Sequence, residues 1–188
     1  MTKDEKIAKL GKEITDRATV LLGKDKITPD APEYLGINSA LKFTAVKYDE
    51  KMADDILDIA LTMKKRVPLT IEQLAKKNPQ FDRAYLEKAL QALSESGLVE
   101  FHWENLDGKN PNHEKRWVLD MFVPGSAEIM MIHPEQADMF PETADFFERM
   151  AYLPLAGITE MVPPGGAGIG MHVIPVEKAI PAESKSLP

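Results

Sequence analysis

Residues 69–103 read LTIEQLAKKNPQFDRAYLEKALQALSESGLVEFHW, and this stretch decides the fold. Thr70 is placed to accept the Gln73 amide while the Gln73 side chain reaches back, and Leu69 can staple onto Leu74, so a helix starts here. Asn78 and Pro79 end it after two turns. The start signals recur at once, with Asp82 as N-cap and Phe81 placed to staple onto Leu86. The second helix buries Leu86, Ala89, Leu90 and Leu93 and closes at Gly97. Two short helices joined this tightly make a helix-turn-helix. Leu98 to Trp103 then alternates as a half-buried strand, and Arg116-Trp117-Val118-Leu119-Asp120-Met121 does the same. Between them lies a polar loop with Asp107-Gly108 and Asn110-Pro111, the composition of a hairpin connection. A hairpin after the third helix is a wing. The expectation is a winged helix-turn-helix core within a mainly α chain carrying a small antiparallel β-hairpin, an α+β class.

Working outward, Asp49 caps a preceding helix with Met52, Ile56, Ile59, Ala60 and Met63 on one face, stopped by Pro68 with Lys64, Lys65 and Arg66 in its last turn. Further back, Lys3 to Leu22 carries Ile7, Leu10, Ile14, Ala18, Leu21 and Leu22 at helical spacing, with Gly23 as C-cap. That stripe needs cover, from its own chain or from a second subunit, so a homodimer through this helix is one expectation. Lys24 to Lys47, punctuated by Pro29, Pro32 and Gly36, reads as an extended linker with a short strand or turn over Leu41 to Val46. Past Phe122, Pro124 and Gly125 introduce a helical stretch, Ser126 to Ile132, and a second runs from Pro134 to Met150. The final stretch, rich in proline and glycine, reads as an arm with one short strand over Met171 to Val176. The chain thus divides into 1–47 (helix and linker), 48–122 (winged helix) and 123–188 (acidic helical segment and arm).

A chain of 188 residues with 44% hydrophobic side chains can close a sizeable core. The formal net charge of -7 argues against a chain-wide phosphate-binding surface and against a polybasic membrane contact. There is no cysteine, which removes disulfides, cysteine-ligated zinc or iron–sulfur clusters and thiol nucleophiles from these residues. The N-terminus enters a charged helical pattern without a signal-type or membrane-length apolar run, so a cytoplasmic protein is expected.

The helix-turn-helix invites duplex DNA, which would be met by Arg83 and Lys88 on the second helix and by Lys109, Lys115 and Arg116 in the wing. The charges speak against it: Ala53 to Met121 holds twelve acidic and ten basic side chains, without the local Lys/Arg excess of a phosphate-binding face. Gly165 to Gly170 misses the G-x-G-x-x-G spacing and lacks the strand before it, so it reads as a turning surface loop. His102, His113, His133 and His172 have no partners at metal-ligand spacing, and pairs such as Asp54-Asp55 read as solvated helix faces. The residues therefore predict no catalytic, cofactor or metal site, and no enzyme activity for this chain.

Taken in order, Val67-Pro68-Leu69-Thr70-Ile71-Glu72-Gln73-Leu74-Ala75, Leu90 to Val99, Arg116-Trp117-Val118-Leu119, Phe122-Val123-Pro124-Gly125, the acidic run Thr143 to Met150 and His172-Val173-Ile174-Pro175-Val176 resemble the N-terminal winged-helix region of bacterial 4Fe-4S ferredoxin-type proteins, some of them fused to flavin and pyridine-nucleotide oxidoreductase domains. The resemblance covers most of the chain from about Leu41 onward. It implies an accessory module whose partner is a redox domain or subunit. In that family the cluster cysteines follow the Ile-Pro-Val segment, and none exists here. No cluster ligand carries over, and the 4Fe-4S clusters are implied in a missing or partner part.

Overall fold

The computed structural model describes residues 1–15, 27–105 and 108–140. In chain order these form α1 (Lys3–Ile14), α2 (Pro32–Lys47), α3 (Glu50–Ala60), α4 (Ile71–Lys77), α5 (Arg83–Glu95), β1 (Val99–His102), β2 (Arg116–Leu119), a π-helical turn (Phe122–Ser126), α6 (Ala127–Ile132) and α7 (Pro134–Met139). The class is mainly helical with one small antiparallel sheet. The expected helix Lys3 to Leu22 stops at Ile14, where Thr15 turns to ψ 138°, and the expected helix Pro134 to Met150 stops at Met139, because Phe140 precedes Pro141 and leaves the helix at φ -135°. Ala18 to Gly23, Thr143 to Met150, the arm beyond it, the strand Met171 to Val176 and His172 lie outside the described residues.

Side chains set the helix starts. Thr2 accepts the Glu5 amide at 3.2 Å and the Glu5 carboxylate accepts the Thr2 amide at 2.8 Å. Thr70 and Gln73 form the same reciprocal pair, while Asp49 and Asp82 accept the amides of Met52 (2.7 Å) and Tyr85 (2.8 Å). The α5 exit turns at Gly97, whose φ of 82° is a left-handed conformation that glycine adopts without strain.

Two further expectations are corrected. The segment read as a linker with a strand at Leu41 to Val46 contains α2, a sixteen-residue helix with Pro32 in its first turn. Tyr34, Ile37, Ala40, Leu41 and Phe43 are all buried, and so are Gly36, Ser39 and Thr44. A helix enclosed on nearly every side has no polar face, so the three-and-four periodicity that betrays a surface helix is missing. Gly36 is a point of close approach: a Cβ there would lie 2.5 Å from the Phe122 ring. The helix begun at Asp49 also ends earlier than the sequence suggests, at Ala60. Lys64, Lys65 and Arg66 are not its last turn. Arg66 has φ 61° and its amide donates to Leu119 O at 2.9 Å, and Leu69 and Trp117 exchange both backbone bonds at 2.9 Å. Residues 65–69 thus run along the free edge of β2, which satisfies that edge.

β1 and β2 pair antiparallel in the register Val99↔Leu119, Glu100↔Val118, Phe101↔Trp117 and His102↔Arg116. The core runs beneath the hairpin through α5 (Leu86, Leu90, Leu93), α3 (Ile56, Ile59) and α2 to Phe122 and Met130. The α1 stripe of Ile7, Leu10 and Ile14 joins this core against α2 and α3 of the same chain. The stripe is used in cis, so this part of it offers no free face for the expected homodimer. Lys3–Asp54 at 2.9 Å and Lys6–Asp58 pair α1 with α3, and Tyr34 donates to Asp4 at 2.8 Å.

Candidate functional site

The first turn of α4, one face of α5 and the β2 side of the hairpin enclose an open cleft of about 590 Å³. Arg83, Glu87 and Gln91 recur every fourth residue, so α5 presents them as one stripe along the cleft, with Thr70, Ile71 and Glu72 on one side and Glu114, Lys115 and Trp117 on the other. The Arg83 guanidinium donates to Glu72 at 2.8 Å and to Glu87 at 3.1 Å. Its own backbone amide, then Arg83, hold the Glu72 carboxyl below the ordinary carboxylate range. Gln91 donates to Glu95 at 3.2 Å, extending the stripe to the end of the helix.

On the hairpin, the Lys115 ammonium sits 3.9 Å from the Phe101 ring centre, 4.0 Å from Trp117 and 5.9 Å from Trp103. The rings meet edge-on, Phe101 with Trp103 at 5.4 Å and with Trp117 at 5.2 Å. This is the arrangement in which ring faces hold a cation. Burial pushes the Lys115 pKa down, and the nearby Glu87 carboxylate opposes that. Trp103 is 50% exposed, so the box opens outward.

Asn110 makes the largest set of side-chain bonds in the described part of the loop between the strands. Asn110, buried, donates to the carbonyls of Trp103 (3.2 Å), Glu104 (3.2 Å) and Glu114 (2.9 Å) and accepts the Glu114 amide at 3.0 Å. That places Trp103 opposite Lys115.

Of the five cations expected to meet DNA, only Arg83 and Lys115 line the cleft. Lys88 lies 5.6 Å over the Tyr48 ring on another flank of α5, and the Arg116 guanidinium donates to the Lys109 carbonyl. The hairpin aromatics escaped the sequence reading because their convergence depends on the Phe101↔Trp117 register. The signal that would have found them is the shared parity of 101 and 103 against 115 and 117.

The three histidines among the described residues do not converge. His113 contacts Trp103 O at 3.0 Å, His102 lies 3.4 Å from Glu104, and the His133 ring is 6.4 Å from Phe43. Among the described residues no three His, Cys, Asp or Glu side chains form a metal-type group. Asp54 and Asp55 have separate structural partners, Lys3 for the first and Tyr85 with Lys51 for the second. One buried carboxylate stands apart from the cleft: Asp120, 2% exposed at the end of β2, is pushed up to about 6 by burial and by Glu100, with Arg66 at 3.5 Å opposing. Among the described residues no helix is long and apolar enough to cross a membrane. Comparison with family models, curated proteins and solved structures finds no match to this chain.

Proposed function

We propose that residues 49–122 are a winged helix-turn-helix that serves as a non-catalytic docking module, the accessory part of a 4Fe-4S ferredoxin-type electron-transfer or oxidoreductase protein of the bacterial cytoplasm. In favour of the winged helix are α4 and α5, joined by the five residues 78–82, the hairpin directly after α5, and the 65–69 segment on the second edge of β2. The observation that carries the docking reading is the α5 stripe. Its single cation, Arg83, is consumed by Glu72 and Glu87, so the face that DNA-binding winged helices press into the major groove is net acidic here. The iron–sulfur assignment rests on the sequence resemblance alone, and under it the clusters belong to the partner or to a further part of the protein.

The test titrates the chain, by calorimetry, with the reconstituted cysteine-rich ferredoxin-type protein encoded beside or in continuity with it, and separately with a mixed-sequence duplex at about 50 mM salt, where phosphate contacts are strongest. Saturable binding to the iron–sulfur protein and none to the duplex supports the proposal. Salt-sensitive duplex binding through Arg83, Lys88, Lys109, Lys115 and Arg116 overturns it in favour of a transcriptional regulator. A gene neighbourhood without any cluster-binding protein overturns the iron–sulfur part.

A further inference from the structure

The docking reading leaves open which surface is used and what chemistry it selects. The cleft beside α5 combines three features that point the same way. An ammonium already occupies the Phe101, Trp103 and Trp117 box, and it comes from the chain itself: Lys115 shows that the rings accept a cation at 3.9 to 4.0 Å. The rim is acidic, with Glu72, Glu87 and Glu114 against Arg83 and Lys115. The box is also continuous with open space, through half-exposed Trp103 on one side and the 590 Å³ cleft on the other.

Resting on the docking reading, we infer that this cleft is the docking site and that its occupant is a basic segment of the partner protein. A partner lysine or arginine takes the place of Lys115 between the rings while its neighbours meet Glu72, Glu87 and Glu114. Lys115 is a built-in competitor. Its long stem lets the ammonium swing out to water, where it regains the hydration lost between the rings. An arginine is the better occupant because a planar guanidinium stacks on aromatic faces and can fork onto a carboxylate at the same time. Charge complementarity selects the occupant, since an acidic segment would be repelled by the rim and by the chain's net charge of -7.

The site carries its own reporter. The chain has two tryptophans, Trp103 and Trp117, and both belong to the box, so indole fluorescence and the two indole N–H signals read its occupancy directly. The probe is hexa-arginine, with hexaglutamate as control. The expected result is a saturable shift of both indole signals by hexa-arginine, weakening as salt is raised, and no shift by hexaglutamate. Lys115→Ala, which vacates the box, should tighten hexa-arginine binding by about threefold to tenfold, the range of one cation–π contact at a partly exposed site. Glu87→Lys and, as a second variant on the hairpin side, Glu114→Lys should each weaken it by about tenfold.

Indole signals that hexa-arginine leaves unmoved in both the wild type and Lys115→Ala overturn the inference, as does binding indifferent to both charge reversals. Circular dichroism separates loss of binding from loss of fold. The peptide titration involves no iron–sulfur protein, so the two readings fail separately. If an iron–sulfur partner still binds the Glu87→Lys and Glu114→Lys variants undiminished, docking stands and this cleft is not the site.

Discussion

At Gly36 the space a side chain would occupy is already filled. A Cβ at that position would sit 2.5 Å from one atom of the Phe122 ring and 3.0 Å from another, and Phe122 is fully buried. An alanine gains about 1 kcal/mol of helix propensity over glycine, but overpacking a closed core costs about 1–3 kcal/mol, and a rigid ring yields less than a flexible chain. Gly36→Ala should therefore destabilise by about 2 kcal/mol in chemical unfolding, and a variant as stable as the wild type would show that Phe122 can move aside. Asp120 poses an electrostatic question. Its carboxyl, ordinarily at 3.8, is pushed up to about 6 by burial first and then by Glu100, with Glu128 adding to the rise and Arg66 and the Met121 amide opposing it. The folded chain therefore takes up this proton before the unfolded chain does, and stability tied to Asp120 rises as pH falls from about 6 toward 3.8. The interval corresponds to roughly 3 kcal/mol at most. Asp120→Asn keeps the shape without the buried charge, so its stability should exceed that of the wild type above about pH 7 and lose the advantage near pH 4. Urea midpoints of both proteins across that range check the sign; a difference that grows on acidification contradicts the burial argument.

Elements differ in how openly the sequence declares them. α4 and α5 were legible to the residue because their starts are made by local chemistry: Thr70 with Gln73, and Asp82, are bonded as the spacing predicts. α2 was hidden for the opposite reason, since its burial is decided by Phe122, Met130 and α1, far away in sequence, and Pro32 and Gly36 look like punctuation when read alone. Of the cleft, the balance of charges on α5 could be read in advance, whereas the aromatic box required the cross-strand register. The hairpin loop belongs with the hidden features. A polar stretch with Asn110-Pro111 reads as a solvated turn, yet the Asn110 amide bridges both limbs of the loop through three carbonyls. Replacing it with alanine removes those part-buried bonds, while Trp103 O keeps its contact with His113, at about 1–3 kcal/mol for the network. Because the loop's contacts are local, most of that cost should appear as faster amide exchange in residues 103–115 with a smaller change in global stability. Exchange unchanged in that loop would mean that other contacts hold it.

On the scale of the whole molecule the question is what joins α1 to the remainder, because the sequence left its stripe without an assigned partner. Beside the Tyr34–Asp4 hydrogen bond, ion pairs and apolar contacts do so, and their sizes differ. The ion pair Lys3–Asp54 is open to water, with side chains 45% and 60% exposed, and such pairs contribute roughly 0–1 kcal/mol. Leu10, by contrast, has no exposed surface and packs into the same core as Ile37, Ile56 and Leu57. Truncating a leucine in such a place costs about 2–5 kcal/mol. If the apolar stripe governs, Leu10→Ala should lower the global urea midpoint strongly while Lys3→Ala leaves it nearly unchanged, and the wild-type midpoint should be little altered between low and moderate salt. The alternative, α1 as a strap held by charge, predicts the reverse order and a marked salt dependence. A single cooperative transition in Leu10→Ala, followed by both fluorescence and circular dichroism, would place α1 inside the folding unit. Two separated transitions would make it a peripheral element, and its stripe would then again be available to a second subunit.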